Sequence, residues 1–261
     1  MRQGRALVTG AARRIGRAMA LGLARRGLDV AVHYHGSQAA VREVVAEIEA
    51  MGRRAVALGA DLLDEAEVER LVPRAVAALG GPLSVLVNNA SIFEHDRIET
   101  TSRESWDRHM ESNLRAPVVL TRHFAAGAPE PLTDAAGEPV AQAVIVNMVD
   151  QRVRKLTPEF VSYALAKSAL WTFTRIAAMG LAPKIRVNAI GPGPTLQGPR
   201  QSAEHFARQR AATVLGRGSD PEDIVRALDF ILDTPSFTGQ LLCIDGGQHL
   251  GWQTPDVMIR E

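Results

Sequence analysis

A tyrosine and a lysine four residues apart are the residues in this sequence best suited to proton transfer. Tyr163 and Lys167 are separated by about one helical turn, so a helix would place them on the same face. A phenol with a pKa of about 10 exchanges protons poorly at neutral pH unless a neighbouring ammonium favours the phenolate. Only three of the 30 Lys+Arg residues are lysines, and only two tyrosines are present. The spacing predicts a catalytic acid-base pair.

An aspartate precedes this tyrosine by 13 residues and adds a second candidate for proton transfer. An ionised Asp150 only accepts hydrogen bonds, whereas a protonated one also donates. Such a group suits a substrate with ring N–H or amino donors, and it can protonate a ring nitrogen if burial raises its pKa. The alternative interpretation is a loop aspartate in an enzyme that has lost its activity.

A glycine-rich turn near the N-terminus has the pattern of a phosphate-binding site. It follows the apolar run 6–8 and opens a segment of helical period, so backbone N–H groups and the helix N-terminus would hold a pyrophosphate. The predicted contacts in this turn are Gly10, Arg13, Arg14, Ile15 and Gly16.

The end of the second predicted strand indicates which dinucleotide binds. NAD-binding units carry an acidic residue there for the ribose hydroxyl, but residues 30–42 contain no carboxylate. A ribose 2′-phosphate would instead be held by His35, Gly36, Ser37 and Arg13, which favours NADPH. The alternative is a loop histidine followed by a helix N-cap. Asp61 and Leu62 are expected near the adenine, Asn89 and Ala90 along the cofactor, and Lys167 at the nicotinamide ribose.

The elements that must position these residues alternate between short apolar runs and longer segments of helical period, which is typical of βαβ units. Strands are predicted near 5–9, 29–34, 54–59, 84–87, 142–147, 185–190 and 241–244, and helices near 14–26, 38–51, 65–79, 102–126, 160–180 and 221–233. Right-handed crossovers make this a single-domain α/β Rossmann fold, a doubly wound seven-stranded parallel sheet with helices on both faces. Residues 1–126 would mainly bind cofactor, 142–250 would mainly carry catalysis and substrate, and 251–261 form a tail. Long loops are predicted at 127–142 and 191–200, and the second is a candidate substrate lid.

Composition excludes several other classes of protein. A net charge of +1 gives no basic excess for nucleic acid, and no apolar run is long enough for a membrane span or a signal peptide. The single Cys243 excludes an internal disulfide framework, and the histidines lack metal-ligand spacing. We therefore expect a cytoplasmic protein with a small-molecule substrate, no metal, and no nucleic-acid or membrane partner.

The order of the motifs from residue 6 to about 247 resembles the short-chain dehydrogenase/reductase family. These motifs are the glycine turn, Asn88-Asn89-Ala90, Asn113, the Tyr163/Lys167 pair and Gly191-Pro192-Gly193. The resemblance implies hydride transfer from nicotinamide, with Tyr163 as acid-base, Lys167 as its partner, Asn113 holding a water and Gly193 near the cofactor. The sequence departs from the family pattern at Arg14, Ser91 and Asp150, which replace a glycine, a glycine and a serine.

These departures, together with Phe93, resemble the pteridine reductase and dihydromonapterin (dihydrofolate) reductase branch of that family. His33-Tyr34-His35-Gly36-Ser37 and the closing segment 245–250 are similar to that branch as well. The resemblance implies a pterin sandwiched between nicotinamide and the Phe93 ring. Its polar edge would contact Arg14, Ser91, Asp150 and Tyr163.

The leading hypothesis is therefore an NADPH-dependent pterin reductase in which Asp150, Tyr163 and Lys167 deliver the proton. One alternative is a carbonyl or 3-oxoacyl reductase, and another is a regulator that binds NADP without chemistry. The family also implies a homotetramer, and the tail from Gly251 is a candidate segment for contact with a neighbouring subunit.

Overall fold

The main sheet has seven parallel strands, which lie at the predicted apolar runs of the sequence. The computed structural model describes residues 4–198 and 200–254. The sheet strands are β1 (Gly4–Val8), β2 (Leu28–Tyr34), β3 (Ala55–Gly59), β4 (Val85–Asn88), β7 (Ala143–Met148), β8 (Ile185–Pro192) and β9 (Leu241–Ile244). Two short strands, β5 (Leu132–Thr133) and β6 (Pro139–Val140), form a separate antiparallel hairpin.

Strand order in the main sheet is β3-β2-β1-β4-β7-β8-β9, with every neighbouring pair parallel. The order reverses between β1 and β4, and the crevice at the carboxyl ends of those strands is where a doubly wound sheet binds ligands. The predicted fold class is confirmed.

Helices cover both faces of this sheet. They are α1 (Arg14–Arg25), α2 (Gln38–Ala50), α3 (Glu65–Leu79), α4 (Arg103–Met110), α5 (Ala116–Gly127), α6 (Val161–Leu181), α7 (Ala203–Ala211) and α8 (Pro221–Asp233). Strand side chains alternate between two cores, so Ala6 and Val8 pack with α1, α2 and α8, whereas Leu7 packs with α3, α5 and α6. Burial on both faces explains why the strands read as continuous apolar runs.

Three local features differ from the predicted elements. The predicted helix 102–126 contains a π-helical turn at Glu111–Arg115 between α4 and α5. The predicted loop 127–142 contains the β5–β6 hairpin. Helix α7 was not predicted, because it buries none of its residues and therefore lacks an apolar stripe.

No helix in the described part of the chain is long and apolar enough to cross a membrane. Residues 255–261 of the predicted tail lie outside the described residues, as does position 199 of the predicted lid.

Candidate active site

Helix α6 carries the predicted acid-base pair in the interior of the protein. Tyr163 and Lys167 are only 6% and 2% exposed. The Lys167 Nζ lies 5.8 Å from the centroid of the Tyr163 ring and donates a hydrogen bond of 2.7 Å to the Met148 carbonyl at the end of β7. The helical spacing thus places the ammonium beside the tyrosine, as predicted.

Asp150, two residues beyond β7, contacts the tyrosine directly. The Tyr163 hydroxyl donates a hydrogen bond of 2.8 Å to Asp150 Oδ2. The other carboxylate oxygen, Oδ1, accepts the backbone N–H of Arg152 at 2.9 Å, because Asp150 caps the 3₁₀ turn Gln151–Val153. One oxygen therefore fixes the carboxyl group and the other is directed at the phenol.

Burial controls the protonation of all three groups. It raises the pKa of Asp150, and burial followed by the Asp150 charge raises the pKa of Tyr163 well above its usual value. Burial also lowers the pKa of Lys167 to about 8. The direction of the Tyr163 pKa is opposite to the expectation that Lys167 favours the phenolate, because burial and the Asp150 charge both act against ionisation of the phenol. Tyr163 keeps its proton and can donate it.

A cavity of about 560 Å³ lies at the carboxyl ends of β1, β2 and β4. It brings together most of the predicted cofactor contacts, namely Gly10, Arg13, Arg14, Ile15, Gly16, His35, Asp61, Leu62, Asn89, Ala90 and Ser91. Its lining also includes His33, Leu63, Ile92, Arg108 and Ser112, which were not predicted. Gly36, Ser37, Lys167 and Gly193 do not line this cavity.

The glycine turn has the close packing that a dinucleotide requires. A Cβ at Gly16 would lie 2.3 Å from the Gly10 carbonyl oxygen, so only glycine allows the start of α1 to pack this tightly on the turn. Asn89 Nδ2 donates to the Thr9 carbonyl at 2.8 Å and holds the turn against β4. The first N–H groups of α1 have no acceptors within the helix and are available to a phosphate at the cavity. The turn therefore fits the predicted pyrophosphate.

His33 is a structural residue of this cavity that the sequence did not single out. Its Nδ1 accepts the Gly10 N–H at 3.0 Å, and its Nε2 lies 3.1 Å from the Ala60 carbonyl oxygen, to which it donates. Burial lowers the pKa of His33 to about 4, so the ring is neutral and makes both bonds at once. The only sequence signal was a histidine inside an apolar strand.

The predicted 2′-phosphate contacts lie in the loop after β2. His35 Nδ1 is 3.7 Å from Asp61 Oδ1, and both side chains are solvent-exposed. Gly36 has a φ of 67°, which turns the chain into α2. Within the described structure Ser37 makes no side-chain capping bond to α2, so its hydroxyl is available to a ligand.

Phe93 lies between the tyrosine and a second aromatic residue. Its ring stacks on Phe160 with a centroid distance of 4.3 Å and meets the Tyr163 ring edge-on at 4.7 Å. The Arg200 guanidinium lies over Phe93 at 5.4 Å and donates to its backbone carbonyl. Phe93 is 41% exposed, so it is not a core residue.

Asn113 and Ser91 hold the loop that follows β4. Both polar atoms of the Asn113 side-chain amide bond the backbone of Ile92. Oδ1 accepts the Ile92 N–H and Nδ2 donates to the Ile92 carbonyl, each at 2.9 Å. The Ser91 hydroxyl donates to the Ile92 carbonyl at 3.2 Å, and its proximity to Tyr163 works to lower the tyrosine pKa. The π-helical turn that contains Asn113 thus fixes the position of Ile92, the residue before Phe93.

Arg14 connects the glycine turn to the predicted lid. Its guanidinium donates to the carbonyls of Leu196 and Gln197, at 3.0 and 2.7 Å. Its φ is 56°, which explains why glycine is usual at this position. At the start of the lid, a Cβ at Gly193 would lie 2.6 Å from Asp245 Cα, so Gly193 allows the loop to pack against the end of β9.

The fold, the phosphate-binding turn and the tyrosine-lysine pair define a dinucleotide-binding oxidoreductase. A family model described as enoyl-(acyl carrier protein) reductase matches residues 10–249. A short-chain dehydrogenase/reductase of Armillaria gallica is 35% identical, with 94% of this chain and 96% of that protein covered. The chain belongs to the short-chain dehydrogenase/reductase family, as predicted.

Two further comparisons concern substrate. The 3-oxoacyl-[acyl-carrier-protein] reductase FabG of Staphylococcus aureus is 30% identical, with 94% of this chain and 98% of that protein covered. The crystal structure of FolM alternative dihydrofolate reductase 1 from Brucella canis, complexed with NADP, superposes with a TM-score of 0.90. It is 41% identical, and 97% of each chain is covered.

Proposed function

We propose that this protein is an NADPH-dependent reductase that transfers hydride to a dihydropterin. The hydrogen bond of 2.8 Å between the Tyr163 hydroxyl and the Asp150 carboxylate carries this proposal. A serine in place of Asp150 would offer a hydroxyl to a ketone oxygen, whereas a carboxyl group suits the N–H and amino groups of a pterin edge. The likeness to an alternative dihydrofolate reductase supports the same substrate class.

The cavity beside the glycine turn supports NADP(H) as cofactor. Gly10 and Gly16 allow the tight turn, and the N-terminus of α1 would hold the pyrophosphate. Arg13 and His35 line the same cavity and supply basic groups for a 2′-phosphate. When bound, the reduced nicotinamide supplies the hydride. The NADP complex of the Brucella protein supports this assignment.

The residues of this chain would supply the proton that balances the hydride. Reduction of a C=N bond forms a C–H bond at carbon and an N–H bond at nitrogen. The Tyr163 phenol, whose pKa is raised by burial and by the Asp150 charge, carries a proton at neutral pH and donates it in a hydrogen bond to Asp150. Asp150 would face the nitrogen edge of the substrate and pass the proton from Tyr163 to the ring nitrogen, which leaves the phenolate beside the Lys167 ammonium. Lys167, bonded to the Met148 carbonyl, keeps its charge beside the phenol and binds the nicotinamide ribose.

Phe93 would provide the platform for the flat heterocycle. Aromatic stacking favours a planar substrate over an extended acyl chain. Because Arg200 lies over the same ring, substrate entry requires its guanidinium to move onto or away from the pterin. Ser91 and Arg14 lie at the junction of this platform and the cofactor cavity, where they would contact the polar edge of the ring.

A substrate panel tests the proposal. The purified enzyme is mixed with NADPH and either 7,8-dihydromonapterin, dihydrobiopterin, dihydrofolate or a 3-oxoacyl thioester, and NADPH consumption is followed. We expect turnover of at least one pterin and a clear preference for NADPH over NADH. Rapid turnover of the thioester with none of any pterin or folate would overturn the proposal.

The second candidate function is carbonyl or 3-oxoacyl reduction, which the likeness to the Staphylococcus aureus reductase favours. The same panel separates it from pterin reduction. A non-catalytic NADP-binding regulator is disfavoured by the intact Tyr163/Lys167 pair. A Tyr163→Phe variant that left every readout unchanged would support the regulator.

A further inference from the structure

Helix α6 begins without a capping side chain of its own. Its N-cap residue is Phe160, which has a φ of 60° and makes no side-chain cap bond within the described residues. The left-handed region is rarely adopted by a bulky aromatic residue, so the surroundings must hold it there. The first N–H groups of a helix also need acceptors from outside it. Tyr163 is the third residue of this first turn.

Asp96, from the loop after β4, supplies those acceptors. Its backbone carbonyl accepts the Phe160 N–H at 2.8 Å. Its carboxylate accepts the Ser162 N–H at 3.3 Å and the Ser162 hydroxyl at 2.5 Å. Asp96 is only 2% exposed and lies 66 residues before Ser162. It therefore acts as a cap supplied by a distant part of the chain.

His109 of α4 completes the arrangement beneath the tyrosine. Its Nε2 accepts the Glu94 N–H at 3.1 Å, so the ring proton is on Nδ1, which lies 2.9 Å from the Ser105 carbonyl oxygen and 2.8 Å from Ser162 Oγ. The His109 ring meets Tyr163 edge-on at 6.0 Å and is fully buried. Each polar group is thereby oriented, and Ser162 is left to donate to Asp96.

The charges around this cluster are consistent with a fixed carboxylate and a neutral imidazole. Burial works to raise the pKa of Asp96, but the hydrogen bonds from Ser162 outweigh it and leave the pKa below its usual value. Burial lowers the pKa of His109. Both groups therefore keep one protonation state at neutral pH, and the cluster is a rigid support rather than a titrating switch.

We propose that Asp96 is a positioning residue for Tyr163, because it caps the first turn of α6 from the same loop that carries Ser91 and Phe93. The cap couples the substrate platform to the proton donor. Lys167, one turn further along α6, has its own bond to β7 and does not depend on the cap. Loss of the cap should therefore displace the tyrosine while the predicted cofactor contacts stay in place.

The test compares Asp96→Ala and Asp96→Asn with a matched control, Asp223→Ala. Asp223 accepts the Asp220 N–H at the start of α8, a helix with none of the predicted site residues. Hydrogen exchange of the segment 158–166 is measured together with kcat, KM and the Kd for NADP⁺. We expect faster exchange there and a kcat about 10- to 100-fold lower for Asp96→Ala, with the Kd within about twofold. Asp96→Asn keeps one acceptor oxygen and should be partly rescued on both readouts.

Unchanged exchange over 158–166 in both Asp96 variants, or an equal loss of kcat in Asp223→Ala, would overturn the positioning role. The kinetic part of the test rests on the proposed function, because it assumes that Tyr163 donates the proton. Hydrogen exchange needs no substrate, so it reports on the cap even if the wild-type enzyme reduces no pterin. If Asp96→Ala does not fold, the exchange and kcat of Asp96→Asn decide the question.

Discussion

At the scale of single residues, the proton chemistry of the site depends on three neighbouring groups. The Asp150 carboxyl and the Tyr163 phenol share a hydrogen bond, and burial raises the pKa of both. Lys167 lies beside them on α6, and burial lowers its pKa to about 8. The pair therefore holds a proton at neutral pH, and the ammonium is the group that titrates nearest to that range.

A pH profile of the wild-type enzyme tests this assignment. Lysine is charged below its pKa, so kcat/KM for reduction should be highest below about pH 8 and fall as the pH rises through that value.

The Lys167→Arg variant tests whether the fall in kcat/KM near pH 8 comes from deprotonation of Lys167. A guanidinium stays charged throughout this range, although its fork cannot replace a compact ammonium. We expect lower activity for this variant without a fall near pH 8. A wild-type kcat/KM that stays level between pH 7 and 9.5 would contradict the role of Lys167.

At the scale of elements, two loops bring the site together, and each is held by side chains from elsewhere. The loop after β4 is fixed by Asn113 and by Ser162 of α6, which bonds the Asp96 carboxylate of that loop, and the loop after β8 is held to the glycine turn by Arg14. Arg14 makes these bonds from a left-handed backbone conformation, which costs about 1–2 kcal/mol for a residue with a side chain.

Two substitutions at Arg14 separate the effect of backbone strain from the effect of the hydrogen bonds to the predicted lid. Arg14→Ala removes the bonds to the Leu196 and Gln197 carbonyls but keeps the strain, whereas Arg14→Gly removes both. We expect the free energy of unfolding, measured by urea titration, to be about 1 kcal/mol higher for Arg14→Gly than for Arg14→Ala. Both variants should raise the KM for substrate. An alanine variant as stable as the glycine variant would show that the conformation at position 14 is not strained.

The sequence was sufficient to predict the elements that are set by local pattern. The inner strands β4, β7 and β8 are buried on both faces, so their apolar runs mark them clearly. The Tyr163/Lys167 spacing and the glycine turn are also local, and the structure brings them to the same edge of the sheet. The cap from Asp96 joins residues 66 positions apart and leaves no pattern in either segment. The raised pKa of Tyr163 was mispredicted for a similar reason, because burial depends on the whole fold.

At the scale of the whole molecule, the face of the protein that includes α6 exposes several large apolar side chains. Leu165, Ile176 and Met179 of α6 are exposed, and a groove between α5 and α6 is lined by Leu114, Val118 and Phe173 among others. Contiguous exposed apolar surface of this kind is typical of protein–protein contacts. We propose that a second copy of the chain covers this face, as part of the predicted homotetramer.

Light scattering after gel filtration tests this assembly. Ile176→Glu places a charge at the centre of the groove and should reduce the molar mass to that of a smaller species. The control Leu132→Glu changes an exposed leucine on the separate β5–β6 hairpin and should leave the mass unchanged. A wild-type protein that elutes as a monomer of 28.2 kDa would contradict the assembly.

The measurement that tests the central claim most directly is the substrate preference of Asp150→Ser. The wild-type enzyme and this variant are compared by kcat/KM with a dihydropterin and with a 3-oxoacyl thioester, both with NADPH. Because a serine hydroxyl cannot replace the carboxyl group in passing a proton from Tyr163 to the ring nitrogen, we expect pterin reduction to fall by about 100-fold or more. Thioester reduction should stay constant or rise. Pterin reduction that is unchanged in Asp150→Ser, or wild-type activity on the thioester alone, would contradict the proposed function.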